Sequence, residues 1–383
     1  MSYLDTLLQG VEVEWKTLGE VTNVLRGRRL TREQLSSDKK FPVFHGGLEP
    51  LGYYELKNRP ANSVMIINVG ASAGTVGYSD VDFWSSDGCY CIEHSEKLNN
   101  KFLYYFLIGQ QHFLQSRVRK AGIPTLDAPV IEKILIPIPC PSNPKKSLEI
   151  QKEIVRILDT FSELTAELTA ELTARKKQYG YYRERLLSFN EGEVEWKTLG
   201  EVAEYSNERI SSDKLNRNNY VGVDNLLQNR EGKTISTYIS QFGNSTKYNV
   251  NDILIGNIRP YLKKIWIADC IGGTNGDVLV IHITDQSIRP RYLYHVLADD
   301  NFFAYNMQHS KGAKMPRGNK EKIMEYKIPI PSLEEQARIV SILDKFDTLT
   351  TSISEGLPKE IELRKKQYEY YRDLLLTFKP ADV

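Results

Sequence analysis

Cysteine is scarce in this chain of 383 residues, and the four present form no recognisable pair. Cys89, Cys91, Cys140 and Cys270 show no CxxC spacing and have no histidine cluster beside them, which argues against zinc. A signal peptide and an apolar run of membrane length are both missing, so the chain is expected to be cytoplasmic with reduced thiols. Net charge is nearly absent: 50 Lys and Arg against 49 Asp and Glu leave +1. A chain so balanced is not a basic nucleic-acid binder as a whole, and any such role must come from local patches. There is no GxxxxGK phosphate loop, no HExxH or other metal-ligand spacing, and no Asn-Pro-Pro-aromatic run of the kind amino-methyltransferases carry. The glycine-rich run at residues 70–77 lacks GxG spacing and reads as a turn between strands. His94, His112, His282, His295 and His309 are scattered and read as surface or loop residues rather than bases.

What the chain has in abundance is itself. Glu-Val-Glu-Trp-Lys-Thr-Leu-Gly-Glu-Val stands at residues 12–21 and recurs unchanged at 193–202. Ile-Pro-Ile-Pro stands at 136–139 and again at 328–331. A long helical segment, Ser147–Phe189, is answered by Ser332–Phe378, with an Ile-Leu-Asp run and an Arg-Lys-Lys-Gln-Tyr run in both. In the first, Ile150, Ile154, Ile157, Phe161, Leu164 and Leu168 alternate steps of four and three, a heptad seam. Thr-Ala-Glu-Leu then stands twice, at Thr165–Leu168 and Thr169–Leu172, a four-residue stutter that unwinds a supercoil without breaking the helix. The seam resumes at Tyr179, Tyr182, Leu186 and Phe189. The second copy is interrupted at Ser354–Pro358, a glycine–proline stop and restart. The Met1–Gln9 stub resembles the tail of such a helix, as if the repeat were cut from a ring.

The chain therefore divides into a globular segment at 1–143, a helical spacer at 144–191, a second globular segment at 192–331 and a second spacer at 332–383. The expected class is α+β, with the two spacers pairing as an antiparallel coiled coil in a pseudo-twofold repeat. Between their shared ends the globular inserts hardly match. Residues 42–47, 63–70 and 88–92 read as strands in the first, followed by a helix over Lys101–Gln115. Residues 219–224, 252–258, 264–269 and 277–283 read as strands in the second, with a helix over Arg291–Asn301. The prolines of Ile-Pro-Ile-Pro are expected to end a strand and orient the start of the long helix. Trp15 and Trp196 are expected to be buried frame residues, each worth roughly 3–5 kcal/mol on truncation.

Basic residues cluster on loops: Arg26, Arg28, Arg29 and Arg32; Arg117, Arg119 and Lys120; Arg259, Lys263 and Lys264 around Tyr261; Lys311, Lys314 and Arg317. Lys and Arg mixed with glycine and aromatics on loops suit phosphate contacts and base-edge readout, and as a group they favour nucleic acid.

Two variable inserts alternating with two repeated helices, each introduced by Ile-Pro-Ile-Pro, resemble the specificity subunit of Type I DNA restriction–modification enzymes. The tandem Thr-Ala-Glu-Leu is similar to the spacer repeats of one subgroup. The resemblance covers the whole chain and implies a non-catalytic subunit. Each insert would be a target recognition domain for one half of an interrupted, asymmetric double-stranded DNA site. The helices would hold two methyltransferase subunits, which assemble with restriction/translocase subunits. S-adenosylmethionine, ATP and magnesium would belong to those partners, with no cofactor in this chain. The competing readings are a stand-alone DNA enzyme and a non-DNA scaffold of two protein-binding domains held by a coiled coil. One four-residue insert advances a helix by about 6 Å and turns it by about 40°, against about 3.4 Å and 34–36° per base pair. Thr165, Leu168, Thr169 and Leu172 are thus candidates for setting the spacing of the two half-sites.

Overall fold

The first and last strands of each insert close on each other. Val13–Thr17 pairs antiparallel with Leu135–Pro139, Trp15 opposite Pro137, and Glu195–Thr198 pairs with Lys327–Ile330, Trp196 opposite Pro329. The computed structural model describes residues 11–190, 192–238, 243–352 and 355–378. The Met1–Gln9 stub lies outside them, as does Ser354 of the interruption. Ile-Pro-Ile-Pro ends each strand, as the sequence suggests, but it also supplies most of that strand: Leu135–Pro139 stops at the last proline and Lys327–Ile330 just before it. The Cys140 amide donates to the Glu12 carbonyl at 2.8 Å, so even-numbered amides face the partner strand. Pro137 and Pro139 face the open edge of a two-stranded sheet, where no donor is needed.

The rest of the repeated decapeptide is a capping device. The Glu20 carboxylate accepts from the Thr17 amide at 2.7 Å, and Glu201 accepts from the Thr198 amide at 2.6 Å. This Thr-x-x-Glu box opens the turns Leu18–Val21 and Leu199–Val202, whose apolar residues are buried. The two tryptophans are not core residues: Trp15 is 39% exposed and Trp196 44%. The repeat preserves the caps and keeps the indoles at the surface.

Each insert has the same core. In the first, an antiparallel sheet runs Val24–Arg26, Cys89–Ile92, Ser63–Ile67, Val76–Ser79. In the second the equivalent order is Ala203–Tyr205, Val278–Ile283, Ile253–Gly256, Ile265–Ile267. The inserts diverge in a second sheet, which has three strands in one and four in the other. The single helix expected in each insert is two: Asn100–Gly109 and Gln111–Ser116 in the first, Pro290–Leu297 and Asp300–Gln308 in the second.

Pro144–Leu187 is one helix, unbroken through the tandem tetrapeptide. The C-terminal copy is Leu333–Thr351 and then Gly356–Leu376. Gly356 has φ +79°, and a β-carbon there would lie 2.4 Å from the Thr348 carbonyl oxygen, so only glycine fits the restart.

The chain forms two compact units, each built from one insert and parts of both long helical segments. Residues up to Ala166 and from Leu363 onward make the first, and Glu167–Glu362 the second. In the first, Ile150, Ile154 and Leu158 share a core with Leu375, Leu376 and Phe378, while Phe161 stacks on Tyr371 at 5.1 Å. Later residues of one helix meet earlier residues of the other, which is antiparallel packing. In the second, Phe346 stacks on Tyr179 and Tyr182 at 5.8 and 5.5 Å. The seam expected through Ile157 is shifted: Leu158 is fully buried and Ile157 only partly. The first turns of the helix face the insert before the seam turns to the other helix.

Two polar contacts of the same form lock each insert to its helix. The Gln151 side chain is fully buried; it accepts from the Asn99 amide at 2.8 Å and donates to the Lys97 carbonyl at 3.1 Å. Gln336, equally buried, accepts from the Arg289 amide and donates to the Ser287 carbonyl, both at 2.8 Å. Two turns on, Asp159 receives Lys101 at 2.8 Å and the Tyr105 hydroxyl, and Asp344 receives Arg291 and His295, both at 2.7 Å. His295 is thus fully buried rather than on the surface. With a carboxylate as acceptor, its Nε2 carries the proton. Burial pushes its pKa down, only partly offset by the Asp344 hydrogen bond. Burial alone would raise the Asp344 carboxyl, but the His295 bond and the Arg291 charge hold it below the usual range.

These directions fix a pH dependence. Unfolded, His295 takes up a proton near pH 6.5, roughly the free histidine value; folded, it resists doing so. Its contribution is intact above that pH and is lost as the pH falls below it. Asp344 loses its own contribution only below about pH 3.9. The melting temperature is expected to fall from pH 7.5 to 5.5, and to fall less in His295→Gln, which keeps a donor but cannot ionise. Equal slopes would remove His295 as the cause.

Candidate nucleic-acid interface

The core sheet determines where the basic loops go. In the first insert, Arg26 ends the strand Val24–Arg26, and the Arg28 amide donates to the Ser85 carbonyl at 2.9 Å. Arg26, Arg28, Arg29 and Arg32 are all exposed, the last opening a short turn, Arg32–Gln34. At the same end of the sheet the chain leaves Ser63–Ile67 through Asn68. The Asn68 amide donates to the Gly88 carbonyl, and its own carbonyl accepts from the Leu126 amide at 2.8 Å. Leu126 belongs to the basic loop, which is thereby fastened to the sheet. The structure thus brings Arg26, Arg28 and Arg29 to the same sheet end as Arg117, Arg119 and Lys120. Arg117 lies over the Phe113 ring at 5.0 Å, Arg119 is 3.4 Å from Asp127, and Lys120 is exposed.

The second insert repeats the arrangement with different residues. Asn257 follows Ile253–Gly256; its amide donates to the Asp277 carbonyl, and its carbonyl accepts from Gly318 at 3.1 Å. The loop from Arg259 to Lys264 joins two strands at this end, and Lys311, Lys314 and Arg317 arrive on the other basic loop. Arg259, Tyr261, Lys311 and Lys314 face solvent. Arg317 is held by Asp277 at 2.6 Å. Lys263 and Lys264 turn inward. The first is bound to Asp300 at 2.6 Å, and the second donates to the Val223 carbonyl at 2.6 Å, with burial lowering its pKa.

Sequence reasoning missed Asn68 and Asn257. Both have buried side-chain carbonyl oxygens without a partner among the described residues, at the point where each loop is fastened. The available signal was an asparagine closing the apolar strand run in both otherwise unlike inserts. Residues 70–75 lie in the turn between two strands, and Val76 and Gly77 open the second strand. Among the described residues no group of three or more His, Cys, Asp or Glu could hold a metal ion, and no helix is long and apolar enough to cross a membrane.

Known proteins share this organisation. The sequence profile of the family described as Type I restriction modification DNA specificity domain matches twice, at residues 10–175 and 191–363. The chain is 39% identical over 410 residues to the Type I restriction enzyme EcoR124I/EcoR124II specificity subunit of Escherichia coli, covering 100% of this chain and 99% of that protein. It is 32% identical to the EcoprrI specificity subunit of the same organism, over 93% of this chain and 92% of that one. Among solved structures, the S subunit of a Type-I restriction-modification system from M. genitalium has the same fold: TM-score 0.63 at 18% identity, covering 98% of each chain.

The inward turn of Lys264 separates it from Arg259. Replacing Arg259 with Gln is expected to reduce the slope of log affinity for duplex DNA against log salt by about one. Lys264→Gln is expected to leave that slope unchanged. A salt titration of binding checks both, and equal effects would contradict the placement.

Proposed function

The chain belongs to the Type I restriction–modification DNA specificity family, and from that premise we propose that each insert reads one half of an interrupted, asymmetric DNA site. As a specificity subunit it is a non-catalytic component of the complex. The observation that carries the reading is the pair of fastened basic loops at equivalent ends of two like-ordered sheets, with different side chains on each. A common frame delivers both surfaces to the same kind of ligand. Different side chains read different bases, since sequence is discriminated by donors and acceptors at base edges while cations hold the phosphates. Arg26, Arg28, Arg29, Arg32, Arg117, Arg119, Lys120, Arg259, Tyr261, Lys311 and Lys314 are the residues proposed for that surface.

The long helices and the repeated frame are the proposed docking sites for two methyltransferase subunits, which in turn assemble with restriction/translocase subunits. Adenine methylation with S-adenosylmethionine, and ATP and magnesium chemistry, are assigned to those partners. Exposed aromatic residues at repeated positions support two like docking sites: Trp15 and Trp196 on the frame, Tyr181 and Tyr370 on the helices. Large aromatics are typical anchors of protein interfaces. The tandem tetrapeptide lies in an unbroken helix, so its copy number is proposed to set the gap between half-sites, about one base pair for each roughly 40° unit.

Methylation mapping of DNA from cells with and without the chain, its methyltransferase partner present in both, tests the reading. The expected outcome is an adenine-methylated, interrupted, asymmetric motif that vanishes with the chain. Deleting Thr169–Leu172 is expected to shorten the gap by one pair with both half-sites kept; an unchanged gap would sink the spacer assignment. No motif in either sample, with the methyltransferase still co-purifying, would favour a scaffold. Trp15→Ala and Trp196→Ala are expected to keep the melting temperature within a few degrees yet weaken methyltransferase co-purification at least tenfold when combined. Undiminished co-purification would remove the indoles from the interface.

A further inference from the structure

The two basic loops are the same device. Each is a seven-residue hairpin closed by a bridge pair, Arg119 with Thr125 and Lys311 with Arg317. The closing hydrogen bonds are 2.9 and 3.1 Å in the first, and both 2.9 Å in the second. Each hairpin is joined to the residue after the sheet-end asparagine, Val69 to Thr125 and Ile258 to Arg317. Each has one further pin, on a proline carbonyl: Gly70 donates to Pro124 at 2.9 Å, and Arg259 to Pro316 at 2.7 Å. Counted from the closing cation, both hairpins carry alanine third, a large apolar residue fifth and proline sixth.

That fifth residue is Ile123 in one and Met315 in the other, 70% and 48% exposed. A lone apolar side chain at a surface needs no explanation. Two at the same position of two pinned hairpins, in inserts that otherwise hardly match, do. The following proline biases each to an extended backbone, and that proline's own carbonyl is pinned to the domain. The same hairpins carry exposed cations: Lys120 with Ile123, Lys311 and Lys314 with Met315. An apolar tip held out in water among positive charges suits a ligand with an anionic surface and an apolar interior. Duplex DNA is such a ligand, with phosphates outside and stacked bases within.

We infer that Ile123 and Met315 are wedges, each inserting between base pairs of one half-site and unstacking a step. This rests on the DNA-reading role proposed above and goes beyond it. The wedge contributes deformation of the duplex, where the loop cations contribute charge and base-edge contacts.

The test uses the full chain in complex with its methyltransferase subunit, on duplexes carrying the mapped site. 2-Aminopurine replaces, one at a time, purines other than the methylated adenine. The native complex is expected to raise 2-aminopurine fluorescence at one step in each half-site. Ile123→Ala is expected to abolish the rise in one half-site and Met315→Ala in the other, each with about a tenfold loss of specific affinity and an unchanged salt slope. Ile123→Leu is expected to keep the rise, and all three variants to melt with the native chain because these side chains are exposed. Specific binding with no rise, or a rise that both alanine variants retain, would overturn the wedge while leaving half-site reading intact. Absence of specific binding by the native complex would overturn both.

Discussion

The buried glutamine on each long helix is the contact on which the arrangement depends. Gln151 and Gln336 each satisfy one backbone donor and one backbone acceptor of a loop in the insert, from a fully buried position. An apolar residue there would leave two backbone groups stranded, at roughly 1–3 kcal/mol each. The amide therefore fixes the register of helix against insert, where a greasy contact would tolerate sliding. Asp159 and Asp344, two turns along, prevent rotation about that point by binding the first helix of the insert through a cation and a second donor. Because the latch is made to backbone on the loop side, it places no demand on which side chains the loop carries.

That indifference to side chains explains how two inserts can differ so much and still be presented alike. The frame strands, the capping boxes and the latches are shared, and so is the order of the core sheet. Variation is concentrated in the second sheet and in the loops at one end of the first.

Much of this was legible in the sequence. The repeat, the strand runs, the continuity of the central helix and the break before Gly356 follow from spacing, glycine and proline alone. The basic loops were also found, because charge, glycine and aromatics were grouped locally. Residues whose role depends on tertiary direction were not legible. The repetition of the tryptophans suggests core, yet it belongs to Thr-x-x-Glu caps and to indoles that stay exposed. Prolines do end both frame strands, but Pro137 and Pro329 also stand inside them, because on the open edge of a two-stranded sheet a missing donor is no liability. Lys263 and Lys264 lie close to Arg259 in sequence, but the groups that engage them, Asp300 and the Val223 carbonyl, come from distant segments. Nothing local distinguishes His295 from an exposed histidine, since its burial comes from a helix 49 residues further on.

The division of the chain into units also sets an order of assembly. Glu167–Glu362 is contiguous, so its core can close while synthesis continues. The other unit is discontinuous: Leu18 and Ile66 share a core with Leu375 and Phe378. Those early segments must wait for nearly the whole chain before their last apolar neighbours exist, and contacts of such separation form slowly. During that interval the first insert stands with part of its core uncovered. A lesion that stops synthesis just after Glu362 would strand the unit made first and leave the unit made second whole.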